Sequence, residues 1–221
     1  MNDIYKTDNT GPLVPRGHHQ VVESPTRETL PLPMSGIILC GGKSSRMGRP
    51  KAFLPFEGRS FIENRLLSMQ ELFSEVFLVA NNPDDYSHLS DDVVKDIIPN
   101  RGPLVGILSG LLVSSFEHSF VIACDMPLVD NKLMRAMATQ RHGADILVLD
   151  HAEGVEPLCG IYSKNCIQSL EESIFAGTLK AVDFLTGMNA KTYRAPIQTG
   201  KPLPAYFNVN TPQDYTAVLA V

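Results

Sequence analysis

From Gly36 onward the apolar positions of the chain fall into two alternating rhythms. Short continuous runs, Ile37-Ile38-Leu39-Cys40, Val76-Phe77-Leu78-Val79-Ala80, Phe120-Val121-Ile122-Ala123-Cys124 and Ile146-Leu147-Val148-Leu149, read as strands buried on both faces, because a strand with one wet face would alternate. Between them lie helical patterns. Phe61, Ile62, Leu66, Leu67 and Met69 form an apolar stripe over residues 61–73. Leu104, Ile107, Leu108, Leu111 and Leu112 fall at i, i+3, i+4, i+7 and i+8, with Pro103 in the first turn. Asp130 can cap a helix running to about Arg141, and Thr211-Pro212-Gln213-Asp214 resembles a capping-box start for a last helix. Val93-Val94 to Ile97-Ile98 reads as a short strand interrupted by Lys95-Asp96, and the stretch after Leu149 is less regular.

This alternation predicts an α/β fold: a single domain with a mostly parallel sheet and helices on both faces, Rossmann-like in plan. Such sheets bind ligands beyond the carboxyl ends of their strands. Candidate functional residues are therefore those that follow a strand, and Gly41, Asn81, Asp96 and Asp125 all do.

Residues 1–35 break the rhythm. They carry Pro12, Pro15, Pro25, Pro31 and Pro33 without a sustained period, a composition that cannot bury enough apolar surface to offset ordering. They read as a mobile leader, ahead of a domain at 36–221. Leu13-Val14-Pro15-Arg16-Gly17 resembles a thrombin cleavage site and His18-His19 follows it, so the leader is either native or an appended segment, with Met34 offering a start.

Composition narrows the class. Hydrophobic residues make up 43%, ordinary for a globular core. A formal net charge of −5 argues against partners such as nucleic acid or an anionic membrane. No apolar run approaches the ~20 residues of a membrane-spanning helix, and the first residues show no basic-then-apolar export signal. Cys40, Cys124, Cys159 and Cys166 form no CxxC pair, which suggests neither a zinc site nor a disulfide framework, and three of them sit in apolar surroundings, which reads as reduced core thiols of a cytoplasmic protein.

The first strand runs into Leu39-Cys40-Gly41-Gly42-Lys43-Ser44-Ser45-Arg46-Met47-Gly48-Arg49-Pro50-Lys51. Glycines let backbone N–H groups approach a phosphate, and Arg46 and Lys51 add positive charge. The loop is not a Walker A motif, which would need glycine where Ile37 stands, and it does not fit Gly-x-Gly-x-x-Gly. On chemistry alone it is either a phosphate cradle or a solvated turn. Asp125 is likewise either a strand-end cap or a ligand for Mg²⁺, a hard cation suited to one or two carboxylates plus phosphate oxygens.

The pattern Leu-x-Gly-Gly-x-x-x-Arg-Met-Gly-x-x-Lys resembles the signature loop of nucleotidyltransferases, and in detail that of the molybdenum cofactor guanylyltransferases. Three further segments resemble the same family in the same order: Asp96 followed by Gly102-Pro103-Leu104-Val105-Gly106-Ile107, then Ala123-Cys124-Asp125-Met126-Pro127, then Phe207-Asn208-Val209-Asn210-Thr211-Pro212. Glu156-Pro157-Leu158-Cys159-Gly160-Ile161-Tyr162 also looks like a strand of the family, with a structural role. The likeness covers residues 36–221 and leaves the leader without a counterpart.

The resemblance implies transfer of GMP from GTP to molybdopterin, with release of pyrophosphate and Mg²⁺ as cofactor. It implies nucleotide contacts at Leu39, Cys40, Gly41, Gly42, Lys51, Asn81, Asp96 and Asp125, with Asn82 adjacent to Asn81 and the register uncertain by one. It implies catalytic roles for Arg46, Lys51 and Asp125, with Asp125 as metal ligand, and pterin contacts at Gly102, Gly106, Asn208 and Asn210. Transient contact with proteins that deliver or accept the cofactor would accompany such a role. No Ser/His/Asp set is required, because the nucleophile is a substrate phosphate, and the six histidines read as incidental. The competing readings are the cytidylyl counterpart, which carries alanine where Gly41 stands, a sugar-phosphate nucleotidyltransferase, and a non-catalytic nucleotide sensor.

Overall fold

The structure, a computed structural model, describes residues 30–41, 50–178, 180–195 and 202–221. Most of the leader, together with Gly42 and Arg46, lies outside the described residues. The chain divides between Leu30 and Pro31, and the unit Pro31–Val221 carries every described element.

In chain order these are β1 (Leu32–Leu39), a two-stranded ribbon of β2 (Pro55–Phe56) and β3 (Arg59–Ser60), α1 (Phe61–Leu72), β4 (Phe73–Ala80), β5 (Val93–Lys95), α2 (Pro103–Val113), β6 (His118–Ala123), α3 (Asn131–Gln140), β7 (Ile146–His151), β8 (Gly154–Ser163), α4 (Ile167–Phe175), α5 (Ala181–Leu185), β9 (Ala190–Arg194) and α6 (Pro212–Val218). Seven strands form one sheet in the order β5-β4-β1-β6-β8-β7-β9. The expected α/β sheet, mostly parallel, is present. Pairings β5–β4, β4–β1, β1–β6 and β7–β9 are parallel, and β8 runs antiparallel to both β6 and β7.

Neighbouring residues of β1 serve opposite layers, as the pleat requires. Ile38 packs into the cluster that includes Ile62, Leu66 and Met69 of α1 and Met134 and Met137 of α3. Ile37 packs with Leu104, Ile107, Leu108 and Leu111 of α2 and Leu170 of α4. Each fully buried side chain of this size is worth about 1.5–3 kcal/mol. A smaller third cluster joins Leu54, Phe56 and Phe61 to Val209 and Val218, seating the C-terminal stretch beside the segment that carries Lys51.

Several boundaries differ from the sequence reading. The first strand begins at Leu32, so residues 32–35, read as the end of the leader, belong to the sheet. Pro33 hid it: proline donates no ladder bond, and the register shifts by a residue between Leu32 and Ser35. The helix read over 61–73 ends at Leu72, and Phe73 opens β4. On that helix Leu67 is exposed and Arg65 takes the buried position. β5 stops at Lys95, leaving Ile97 and Ile98 exposed. The antiparallel β8 follows from chain length, since only Ala152 and Glu153 separate β7 from β8 and a parallel return would need a long crossover.

Candidate active site

Strand register aligns the candidate residues. Leu39 of β1 pairs with Val79 of β4 on one side and Ala123 of β6 on the other, and Ala80 pairs with Lys95. The strands therefore end level. Backbone bonds from Cys40 N–H to Val79 O (2.9 Å), Cys124 N–H to Leu39 O (3.2 Å) and Asp96 N–H to Ala80 O (3.0 Å) carry the alignment one residue further. Gly41, Asn81, Asp96 and Asp125 are thus brought to one edge and line one cavity of about 960 Å³. Leu39, Cys40, Lys51, Asn82, Gly102, Gly106, Glu156, Asn208 and Asn210 line it too.

Along β1, β4 and β5 the lining is mainly backbone and small or amide side chains, with the buried carboxyl of Asp96 set among them. A Cβ placed on Gly41 would stand 3.4 Å from Asn81 Nδ2. Asn81 Oδ1 accepts from Asn100 N–H at 2.6 Å, whereas Asn82 Nδ2 is spent on Asp85 Oδ1 at 2.9 Å. Of the adjacent pair, Asn81 is therefore the one opposite Gly41. Gly102 caps α2 at φ 92°, a conformation that favours glycine, and no side chain caps that helix. Asp96 is 9% exposed with Oδ1 unpartnered. A Cβ on Gly106 would lie 3.5 Å from that oxygen. Burial raises the Asp96 pKa above the usual carboxylate range, and the Ser109 hydroxyl opposes the shift.

Across the cavity the lining is a network of side chains. Lys51 Nζ lies 3.2 Å from Asp125 Oδ2 and donates to Asn210 Oδ1 at 2.6 Å. Val209, fully buried, donates its N–H to Asp125 O at 2.9 Å, which pins the C-terminal stretch to the end of β6. Strand-like alternation then places Asn208 and Asn210 together on the cavity side. A capping box fixes the start of α6, with Thr211 N–H on Asp214 Oδ2 at 2.8 Å and Asp214 N–H on Thr211 Oγ1 at 3.2 Å.

Three contributors were not read from the sequence. Arg65, buried on α1, donates to Met126 O (2.6 Å) and Val129 O (2.7 Å) and so holds the loop that follows Asp125. Its desolvation lowers its pKa to about 10, still far above neutrality, so it remains a cation. A charged residue inside an apolar stripe was the available signal. Tyr86 donates to Cys40 O at 2.9 Å and stacks on Phe53 with centroids 5.3 Å apart, tying residues on either side of the glycine-rich loop to one ring. Glu156, read as structural, reaches the cavity and accepts from Asn208 Nδ2 at 2.9 Å.

The donor chemistry around Asp125 suits a hard cation that takes most of its ligands from substrate. Among the described residues no three His, Cys, Asp or Glu cluster as a metal cage. The four cysteines are buried and free. Burial pushes Cys124, Cys159 and Cys166 up to about 12 and Cys40 well above its ordinary value, as expected of inert core thiols. No described helix is long and apolar enough to cross a membrane.

Comparison with known proteins places the chain in a family. Residues 36–190 match the family model described as the MobA-like NTP transferase domain. A probable molybdenum cofactor guanylyltransferase of Pelotomaculum thermopropionicum is 37% identical over 185 residues, covering 83% of this chain and 90% of that protein. The probable molybdenum cofactor guanylyltransferase of Carboxydothermus hydrogenoformans is 36% identical, covering 83% and 94%. Among solved structures, molybdopterin-guanine dinucleotide biosynthesis protein A of Archaeoglobus fulgidus superposes with a TM-score of 0.73 at 26% identity, covering 85% of this chain and 97% of that one.

Proposed function

Since the chain belongs to the MobA-like NTP transferase family, we infer that it transfers the guanylyl group of GTP to molybdopterin and releases pyrophosphate. The observation that carries this reading is the pairing of Lys51 with both Asp125 and Asn210 at the level carboxyl ends of β1, β4 and β6. It joins a phosphate-binding cation, a metal-binding carboxylate and an amide for a second ligand in one cavity. At about 960 Å³ that cavity is at the upper end of the small-molecule range, which suits two substrates.

In this reading GTP lies along Leu39, Cys40, Gly41, Asn81 and Asp96, with its phosphates toward Lys51. Gly42 and Arg46 are assigned to it by the motif alone. Molybdopterin lies toward Gly102, Gly106, Asn208 and Asn210. The attacking group is the phosphate of molybdopterin, largely ionised near neutrality. Its oxygen forms a bond to the α-phosphorus of GTP while the bond to the β-phosphate bridge breaks. No side chain has to supply a nucleophile. The chain's task is to align the two substrates and neutralise charge, Lys51 as a point charge and Arg46 as a two-pronged one. Asp125 would hold the divalent cation, Mg²⁺ in this reading, which adds positive charge at the phosphates.

A calorimetric panel of GTP, CTP, UTP and ATP with magnesium present tests the nucleotide assignment. GTP should bind much more tightly than the other three, and equal binding of CTP would remove the guanylyl assignment in favour of the cytidylyl one.

A further inference from the structure

Glu156 reaches the cavity because of a built irregularity in β8. Val148 pairs with Gly160, yet the next residue of β7, Leu149, pairs with Glu156. Residues 157–159 are extra, forming a bulge that re-aims the strand beside the site. Gly160 permits it: a Cβ there would meet Leu147 O and Val148 Cγ1, each at 2.9 Å. Two polar groups of the bulge find specific partners. Pro157 has no N–H to lose, and its carbonyl accepts from the fully buried Tyr162 hydroxyl at 2.8 Å. The Leu158 N–H donates to Glu156 Oε1 at 3.1 Å. The other oxygen, Oε2, accepts from Asn208 Nδ2. The Glu156 carboxylate is thus fixed at one oxygen by backbone and holds the Asn208 amide with the other.

A carboxylate only accepts hydrogen bonds, so the amide of Asn208 cannot turn round. Its Nδ2 is held by Glu156, and Oδ1 is the end left open to a ligand. Asn210 has the opposite polarity: an ammonium only donates, so Lys51 takes Oδ1 and leaves the amino end open. We propose that Glu156 is a positioning residue that sets Asn208 as a hydrogen-bond acceptor for a ring N–H or amino group of the pterin. The proposal rests on the assignment of molybdopterin to this wall of the cavity. A pterin carries such donors on its pyrimidine edge. Guanine carries the same pattern, so the test must separate the two rings.

The test uses the full chain and steady-state pyrophosphate release, with KM measured separately for molybdopterin and GTP. In Glu156→Gln the amide oxygen retains the Leu158 N–H, and its amino group now faces Asn208. That turns Asn208 round and presents a donor to a donor. KM for molybdopterin should rise about tenfold, the cost of one mismatched, partly buried bond. KM for GTP and the melting temperature should stay unchanged. Asn208→Asp alone sets two carboxylates against each other and should raise the same KM. In the double variant Glu156→Gln with Asn208→Asp, the Gln amino group donates to the new carboxylate, an acceptor faces the ligand again, and KM should return toward the starting value. Unchanged KM for molybdopterin in Glu156→Gln, a rise for GTP instead, parallel loss of melting temperature, or failure of the double variant to recover would each overturn the proposal. If the starting protein transfers guanylyl and Glu156→Gln equals it, the positioning role falls and the function stands. If the starting protein shows no transfer, both fall.

Discussion

Along β1, β4 and β5 the cavity is lined mainly by main chain and small or amide groups, the Cys40–Gly41 backbone, Asn81 bonded to Asn100 N–H, and Gly102 and Gly106 of α2 and its cap, with the one buried carboxyl of Asp96 among them. Across it, at the ends of β6 and β8, the lining is ionic and mutually bonded: Lys51 with Asp125 and Asn210, and Glu156 with Asn208. The first wall is shaped by where level parallel strands stop. The second depends on side chains that arrive from four separate stretches and hold one another in place. The first should tolerate side-chain change while its backbone is kept, and the second should fail residue by residue.

The largest effect should come from Asp125→Ala. If this carboxylate holds the metal, turnover should fall by roughly a hundredfold or more, since charge stabilisation supplies several kcal/mol. The fold should persist, because the side chain is 22% exposed at a strand end. Pyrophosphate release at saturating magnesium together with a melting curve checks both halves. Near-normal turnover would move the metal role, with Asp96 next in line. Arg65→Met follows, and it tests how the second wall is held from behind. Two carbonyls, Met126 O and Val129 O, would lose their buried partner at about 1–3 kcal/mol each. The melting temperature should drop on the order of 10 °C, and turnover should fall with it as the Asp125 loop loosens.

Asn210→Ala and Asn208→Ala sharpen the comparison within the second wall. The sequence treats the two asparagines alike, but only Asn210 touches Lys51. Losing a bond worth about 1–3 kcal/mol should cost molybdopterin roughly tenfold in either variant. GTP affinity should change only for Asn210→Ala, where Lys51 loses a partner, and calorimetry with GTP separates the two. Equal behaviour would mean that Lys51 does not couple the substrates.

The smallest effect concerns the first wall. Asp96 has its pKa raised in the folded state by burial, so the folded protein holds this proton more tightly than the unfolded chain. Stability attributable to this group therefore declines as pH rises from the ordinary aspartate value through the raised one, and the loss is complete above it. Asp96→Asn should raise the melting temperature at neutral pH by a degree or two and flatten its pH dependence above about pH 4. An unchanged slope would mean that the carboxyl is better solvated than its 9% exposure indicates.

Legibility in the sequence followed the same division. Continuous apolar runs at residues 37–40, 76–80 and 120–124 disclose a parallel sheet, and a parallel sheet puts its ligands at the strand ends. Strand ends pointed to Gly41 and Asp125, the family resemblance added Asn81 and Asp96, and the four are found together. What escaped depends on hydrogen bonds rather than period. Pro33 and Pro157 lie in strands that proline normally excludes, tolerated because a register shift surrounds each. Glu156 enters the site only because of the second of these bulges. The antiparallel course of β8 is decided by a two-residue turn that an apolar count does not weigh. Arg65 was hidden by its stripe, since hydrophobic patterning says where a side chain goes and not which carbonyls await it.

The central claim is that this cavity passes a guanylyl group from GTP to molybdopterin, and isotopic labelling of GTP tests it most directly. With magnesium and molybdopterin present, label at the α-phosphate should appear in a molybdopterin dinucleotide, in step with pyrophosphate, and label at the γ-phosphate should leave in the pyrophosphate. The signal should vanish in Asp125→Ala. Absence of α-label in any pterin product, or equal incorporation from labelled CTP, would contradict the account.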